Sequence, residues 1–253
     1  MQHLLICKDA KRRQIFIGTK FLSIVLFISL GVQNKRLYII GGCNGAGKTT
    51  ASFNLLPDIL NCREYVNADE IARGISPFQP DKVAIESGRI MLHRITELLE
   101  QGEDFAFETT LSTRSFASTI ERAKAKGYSV TLIYFWLEST ELAIKRVQTR
   151  VEEGGHDIPI ETIIRRYYGG LKNLFGLYQN ICDLILLYDN SKSSPELILE
   201  KSIGNSDIIY NKFTSTSKCN IINLIILSNE KLQTTFRNRT RDYFFTSIFG
   251  THS

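Results

Sequence analysis

The decapeptide GGCNGAGKTT, residues 41–50, carries the most specific chemistry in the chain. From Gly42 to Thr49 it satisfies G-x-x-x-x-G-K-[ST], a loop that binds the phosphates of a nucleoside triphosphate. Glycines let the backbone bend until the N–H groups of the stretch Gly42, Asn44, Gly45, Ala46 and Gly47 point inward, and the start of a helix adds a favourable partial charge. Lys48 is then placed to bridge the β- and γ-phosphates. Thr49 offers its hydroxyl to Mg²⁺, and Thr50 can reach a neighbouring phosphate oxygen.

Three further groups could act on what the loop holds. Asp69 ends the stretch REYVNAD and can take the proton of an incoming hydroxyl while a phosphoryl group is transferred; the alternative is that it caps the helix that follows. Glu108 and Thr110 lie two apart in FETT, so on a strand they share a face and can meet one acceptor. Arg114 opens the next helix and suits a phosphorylated or polyhydroxylated acceptor, or else is a surface residue. Arg146 and Arg150 share one helical face, and Arg165 and Arg166 follow on the next helix. Guanidinium groups there would neutralise charge on the transferring phosphoryl oxygens, the alternative being a solvated face balanced by Glu152, Glu153 and Glu161.

These residues need a scaffold. From residue 35 to about 190 strand and helix patterns alternate, which implies an α/β fold of the P-loop NTPase type: a parallel sheet of about five strands with helices on both faces. The strands are expected at 36–42, 63–69, 104–110, 128–137 and 183–190. Helices are expected at about 47–56, 81–101, 113–126 and 139–153, with a last one ending near 176. The helix at 81–101 should bury Ala84, Gly88, Met91, Ile95 and Leu98 and leave His93 in solvent. The pair of helices between the fourth and fifth strands, hinged at Gly154-Gly155, has the form of a lid.

Composition bounds the rest. A chain of 253 residues can bury one sizeable core. The net charge of +5 resides in the tails: residues 35–203 hold twenty basic and twenty-two acidic side chains, so no broad nucleic-acid footprint is expected. Five cysteines without metal-ligand spacing fit a reducing, cytoplasmic setting, and Cys43 reads as a variable loop position rather than a reactive thiol. Residues 1–34 form an extension whose apolar run, 21–32, is too short to span a bilayer comfortably. Residues 204–253 contain no Ala, Val or Pro and read as an appendage outside the 35–203 domain.

The same loop occurs in ABC-type ATPases, but their LSGGQ-like signature and the strand ending in Asp-Glu just after it are absent from this sequence. Taken together, GGCNGAGKTT, YVNADE, FAFETTLSTRS and the segment from TRVEEGGHDIP to RRYYGGL resemble the zeta toxin family of P-loop kinases, over about residues 35–200. The resemblance implies a fold like that of nucleoside monophosphate kinases, with ATP and Mg²⁺ as cofactors. It also implies transfer to a hydroxyl of a small molecule, in well-known members a UDP-N-acetyl sugar, and a small antitoxin that blocks the nucleotide site. By motif, Asp69 matches the family's base, Glu108 and Thr110 its acceptor-binding pair, and Arg150 with Arg165 or Arg166 its phosphate-binding arginines. The chain departs from typical members in a shorter acceptor-side sequence and in lacking a recognisable antitoxin-contacting extension. Two other readings stay open from sequence: a nucleotide-dependent binding or switch protein, and a polynucleotide kinase.

Overall fold

The segment KRLYIIG turns from charged to wholly apolar after two residues, as a strand covered on both faces must. It forms β1, Lys35–Gly41, with Leu37 to Gly41 all buried. The computed structural model describes residues 35–155, 157–202 and 208–209. The extension at 1–34, His156 and all of 204–253 except 208–209 lie outside the described residues.

Around β1 the chain builds a seven-stranded sheet in the order β2-β3-β1-β4-β5-β6-β7. β2 is Glu64–Val66, β3 is Phe105–Thr109, β4 is Tyr128–Trp136 and β5 is Leu184–Asp189. These five run parallel. The two remaining strands, β6 (Glu196–Ser202) and β7 (Ile208–Ile209), are antiparallel additions that the sequence reading did not anticipate. The loop from β5 to β6 is short, which permits only an antiparallel return, because a parallel partner needs a long crossover.

Among the described residues six α-helices connect the strands: α1 (Lys48–Leu55), α2 (Ala68–Ile75), α3 (Ala84–Gln101), α4 (Ala117–Ala125), α5 (Thr140–Glu152) and α6 (Ile160–Gly176). The step from β1 to β2 runs one way across the sheet, and that from β3 to β4 runs the other, passing β1. Right-handed crossovers therefore set α1 and α4 on opposite faces. Phe105 and Phe107 are wholly buried in the resulting core, each contributing about 1.5–3 kcal/mol relative to an exposed ring. Among the described residues no helix is long and apolar enough to cross a membrane.

Three expectations need correction. The second strand stops at Val66 instead of running to residue 69, because the side chain of Asn67 accepts a hydrogen bond from the Asp69 N–H and starts α2 there. On α3 Met91, Ile95 and Leu98 are buried as expected, together with Ser87 and Leu99, but Ala84 is exposed and Gly88 only half-buried: residues Pro80–Val83 form a 3-10 turn, so Ala84 is the first residue of the helix proper and its buried face begins at Ser87. The helix expected from residue 113 starts at Ala117, after a turn in which the Thr113 and Ser115 hydroxyls bond each other at 2.8 Å.

Parallel register decides what meets at the top of the sheet. Ile40 pairs with Glu108 and Gly41 with Thr109, so the carboxyl end of β3 is level with the loop that leaves β1. Because the chain leaves β1 in one direction and passes it in the other, this is also where a crevice opens in a sheet of this kind.

Candidate nucleotide and phosphoryl-transfer site

The loop between β1 and α1 follows the conformation its glycines permit. Gly45 has φ 76°, and a Cβ there would lie 2.7 Å from the Ala143 carbonyl oxygen. Gly47 has φ 80° and precedes α1 with no side-chain cap bond, which leaves the first-turn N–H groups of the helix available to an anion. The loop is held from three sides. Asn190, just past β5, donates to the Ala46 carbonyl at 2.8 Å, and Arg166 of α6 donates to Asn44 Oδ1 at 3.2 Å. Lys48 Nζ donates back to the Cys43 carbonyl at 3.0 Å.

Glu108, at the end of β3, is the hub of the site. Its Oε1 lies 3.5 Å from Lys48 Nζ, and both side chains are less than a tenth exposed. Its Oε2 accepts from Thr49 Oγ1 at 2.9 Å, from the Tyr65 hydroxyl at 2.5 Å and from Asn67 Nδ2 at 3.2 Å. Burial first, and then the Glu108 charge, raises the Tyr65 phenol well above its ordinary value, so Tyr65 stays a neutral donor. A threonine hydroxyl that donates to a carboxylate keeps its lone pairs for a hard cation, a donor set that fits Mg²⁺ held jointly by protein and phosphates.

Asp69 sits in the first turn of α2, exposed at the same edge. Its charge acts on Arg166, whose guanidinium is lowered from its ordinary value mainly by burial, against the pull of Asp69 and with a further push from Arg165. Asp69, Arg166 and Asn44 therefore face one region. Arg165 is exposed beside Arg166. Arg150 is half-buried at the end of α5, and the turn folds back on it: Gly155 N–H donates to its carbonyl at 2.8 Å. Thr50 is exposed on the outer side of α1.

Thr110 lies one residue beyond β3, so strand alternation with Glu108 does not carry to it; its hydroxyl bonds that of Ser112 at 2.9 Å. Leu111, with φ 54°, turns the chain there, and Arg114 follows in the exposed turn before α4. Three residues at the site were outside the sequence-based set: Tyr65, Asn67 and Asn190. Arg146, grouped from sequence with Arg150 among the arginines offered to the transferring oxygens, has its Cβ beside Gly45 and donates to the Ser191 carbonyl at 3.2 Å. The usable signal was position: each polar side chain other than Arg146 stands in or just beyond a strand that ends at the loop.

A hollow of about 560 Å³ adjoins this edge, walled by Phe53, Tyr65, Asn67, Ile71, Ile90 and Arg94 among others. It mixes apolar faces with charge, since Arg94 is paired with Glu64 at 2.8 Å.

Comparison with known proteins speaks to the family and the fold. The sequence pattern of the Zeta toxin family matches residues 30–195. A protein of Haemophilus influenzae described only as uncharacterized is 33% identical over 137 residues, which are 54% of this chain and 94% of that protein. Among solved structures, that of the PezAT chromosomal toxin-antitoxin system of Streptococcus pneumoniae overlays with a TM-score of 0.54 at 17% identity, covering 84% of this chain and 95% of that one. The AvrRxo1-ORF1:AvrRxo1-ORF2 structure with sulphate ions overlays with a TM-score of 0.60 at 15% identity, covering 87% and 74%. At such identities the overlays establish a shared fold. The family match is the stronger finding, for it takes in the phosphate loop, the Glu108 strand and both arginine-bearing helices, and the chain belongs to the zeta toxin family of P-loop kinases.

Proposed function

We propose that this protein moves the γ-phosphoryl group of ATP to a hydroxyl of a small molecule, with Asp69 as the base. One observation supports the reading above others: Glu108 gathers Lys48 and Thr49 at the end of β3, and Asn67 joins that cluster to the turn that bears Asp69. The loop amides and Lys48 bind the triphosphate. Thr49, oriented by Glu108, would help hold Mg²⁺, which when bound would supply charge neutralisation to the phosphates. Arg166, with Arg150 and Arg165 as further candidates, offsets charge on the transferring oxygens. Asp69 accepts the acceptor's hydroxyl proton as the new O–P bond forms and the bond from the γ-phosphorus to the bridging oxygen breaks, releasing ADP.

The hollow beside Tyr65 and Asn67 suits an acceptor with a flat ring and polar substituents, as a UDP-N-acetyl sugar has; Thr110 and Arg114, the acceptor candidates from sequence, are not among its walls. A small antitoxin protein covering the site, and a cytoplasmic location where ATP is present, complete the reading. The test is to incubate the purified protein with γ-labelled ATP and a cell metabolite extract and identify the labelled product. Asp69→Asn is expected to lower transfer about 10²–10⁴-fold while ATP affinity changes little. Undiminished transfer would remove Asp69 from the mechanism, and slow ATP hydrolysis without any labelled metabolite would favour a nucleotide switch instead.

A further inference from the structure

Asn67 stands where β2 gives way to α2, only 5% exposed, and the two ends of its amide do different things. Oδ1 accepts the Asp69 N–H at 2.8 Å and caps the helix. Nδ2 donates to Glu108 Oε2 and to the Tyr65 hydroxyl, each at 3.2 Å. The partners fix the amide's orientation, since a backbone N–H requires the oxygen and a carboxylate requires the NH₂. Capping alone asks for nothing but the oxygen, which serine or aspartate supplies as well. The amide nitrogen is the part that capping leaves unexplained, and it is directed at the carboxylate that also holds Thr49 and Lys48.

We propose that Asn67 is a positioning residue that couples occupation of the phosphate loop to the placement of Asp69. The inference rests on the reading of Asp69 as the base. The contacts are continuous: Lys48 and Thr49 meet Glu108 at 3.5 and 2.9 Å, Glu108 meets Asn67 at 3.2 Å, and Asn67 meets the Asp69 backbone at 2.8 Å. Once Lys48 turns to a triphosphate, Glu108 loses a cationic partner and leans more on its remaining donors, Thr49, Tyr65 and Asn67. Asn67, drawn toward Glu108, tightens the first turn of α2. The exposed Asp69 carboxylate is thereby set by its backbone at the moment the nucleotide is in place.

The test is amide hydrogen exchange on the full chain, with and without Mg·AMP-PNP. In the wild type, exchange at the amides of Asp69 and Ile71, which bond the side chain and carbonyl of Asn67, should slow about fivefold or more with the nucleotide. Asn67→Ser keeps a capping oxygen and removes the amide NH₂ that reaches Glu108, so it should melt within a few degrees of wild type and bind AMP-PNP within about threefold, yet lose that slowing. Asn67→Asp, which keeps the shape and the cap, is the second variant should the serine fail to fold. Absence of the slowing in wild type, its persistence in both variants, or loss of AMP-PNP binding in both would overturn the proposal. Asp69→Asn, measured by phosphoryl transfer, reports separately on the base: full activity there would defeat that reading while leaving the exchange result to stand by itself.

Discussion

Lys48 and Glu108 are both nearly buried, and each is the other's countercharge while the phosphate loop is free. Glu108→Ala would leave the ammonium with one carbonyl partner and strand the Thr49, Tyr65 and Asn67 donors. The cost should be about 1–3 kcal/mol, read as a lower urea midpoint for the nucleotide-free protein. Cys43 offers a second check at this scale. Burial pushes its thiol up to about 11, an effect that Lys48 opposes only in part. At neutral pH it is a protonated, enclosed thiol, so iodoacetamide should modify the native protein there far more slowly than a free cysteine, the rate climbing only as pH nears that value. Rapid labelling of Cys43 at pH 7, seen by mass spectrometry, would contradict the burial described.

At the scale of elements, α6 is fastened to the turns after β3 and β4 by contact as well as by hydrogen bonds. Asn173 donates to the Leu111 carbonyl at 2.8 Å, and Tyr167 bonds the Leu137 carbonyl at 2.7 Å while accepting from Trp136. Gly170 makes the close approach possible: a Cβ there would lie 2.6 Å from the Thr110 oxygen and 2.7 Å from the Tyr134 hydroxyl. Gly170→Ala should therefore cost about 1–3 kcal/mol, with a drop in Tm of about 2–4 °C per kcal/mol. Gly88→Ala on α3 meets nothing within 4 Å and should instead stabilise by about 0.5–1 kcal/mol through helix propensity. Calorimetry on the pair distinguishes close packing from propensity. The glycine pair in RRYYGGL was visible in the sequence, but its role was not, because Thr110 and Tyr134, which Gly170 approaches, are far away along the chain.

The five parallel strands were legible because each is a short apolar run, the first four with a helical pattern after them, and the loop was legible because its glycines and lysine have one common use. The ends of the strands were not. Val66-Asn67-Ala68-Asp69 continues an alternating pattern on paper, yet the asparagine side chain competes for the backbone and ends the strand early. Likewise Thr110 follows Glu108 at strand spacing, but Leu111 takes a left-handed conformation that periodicity cannot announce. Tyr65 and Asn67 stand inside YVNADE, where only Asp69 was given a role, and Asn190 lies outside every motif; they matter through parallel register, which only the folded sheet supplies.

For the molecule as a whole, a ligand that binds only the folded state must raise its stability. Mg·ATP at about one hundred times its dissociation constant should add about 2.7 kcal/mol. Lys48→Met should abolish the rise in Tm, and an unchanged melting curve for wild type with saturating nucleotide would contradict binding at the loop. β2 has a last consequence at this scale. It is three residues long at the outer margin of the sheet, bends at once into α2, and has the Arg94 guanidinium set against Glu64. A foreign β-segment arriving there would find too few backbone groups to zip onto and two charges to displace. That margin should resist fibrillar self-association at high protein concentration, and lengthening β2 by replacing Asn67 and Asp69 with valine would be the way to create a seed.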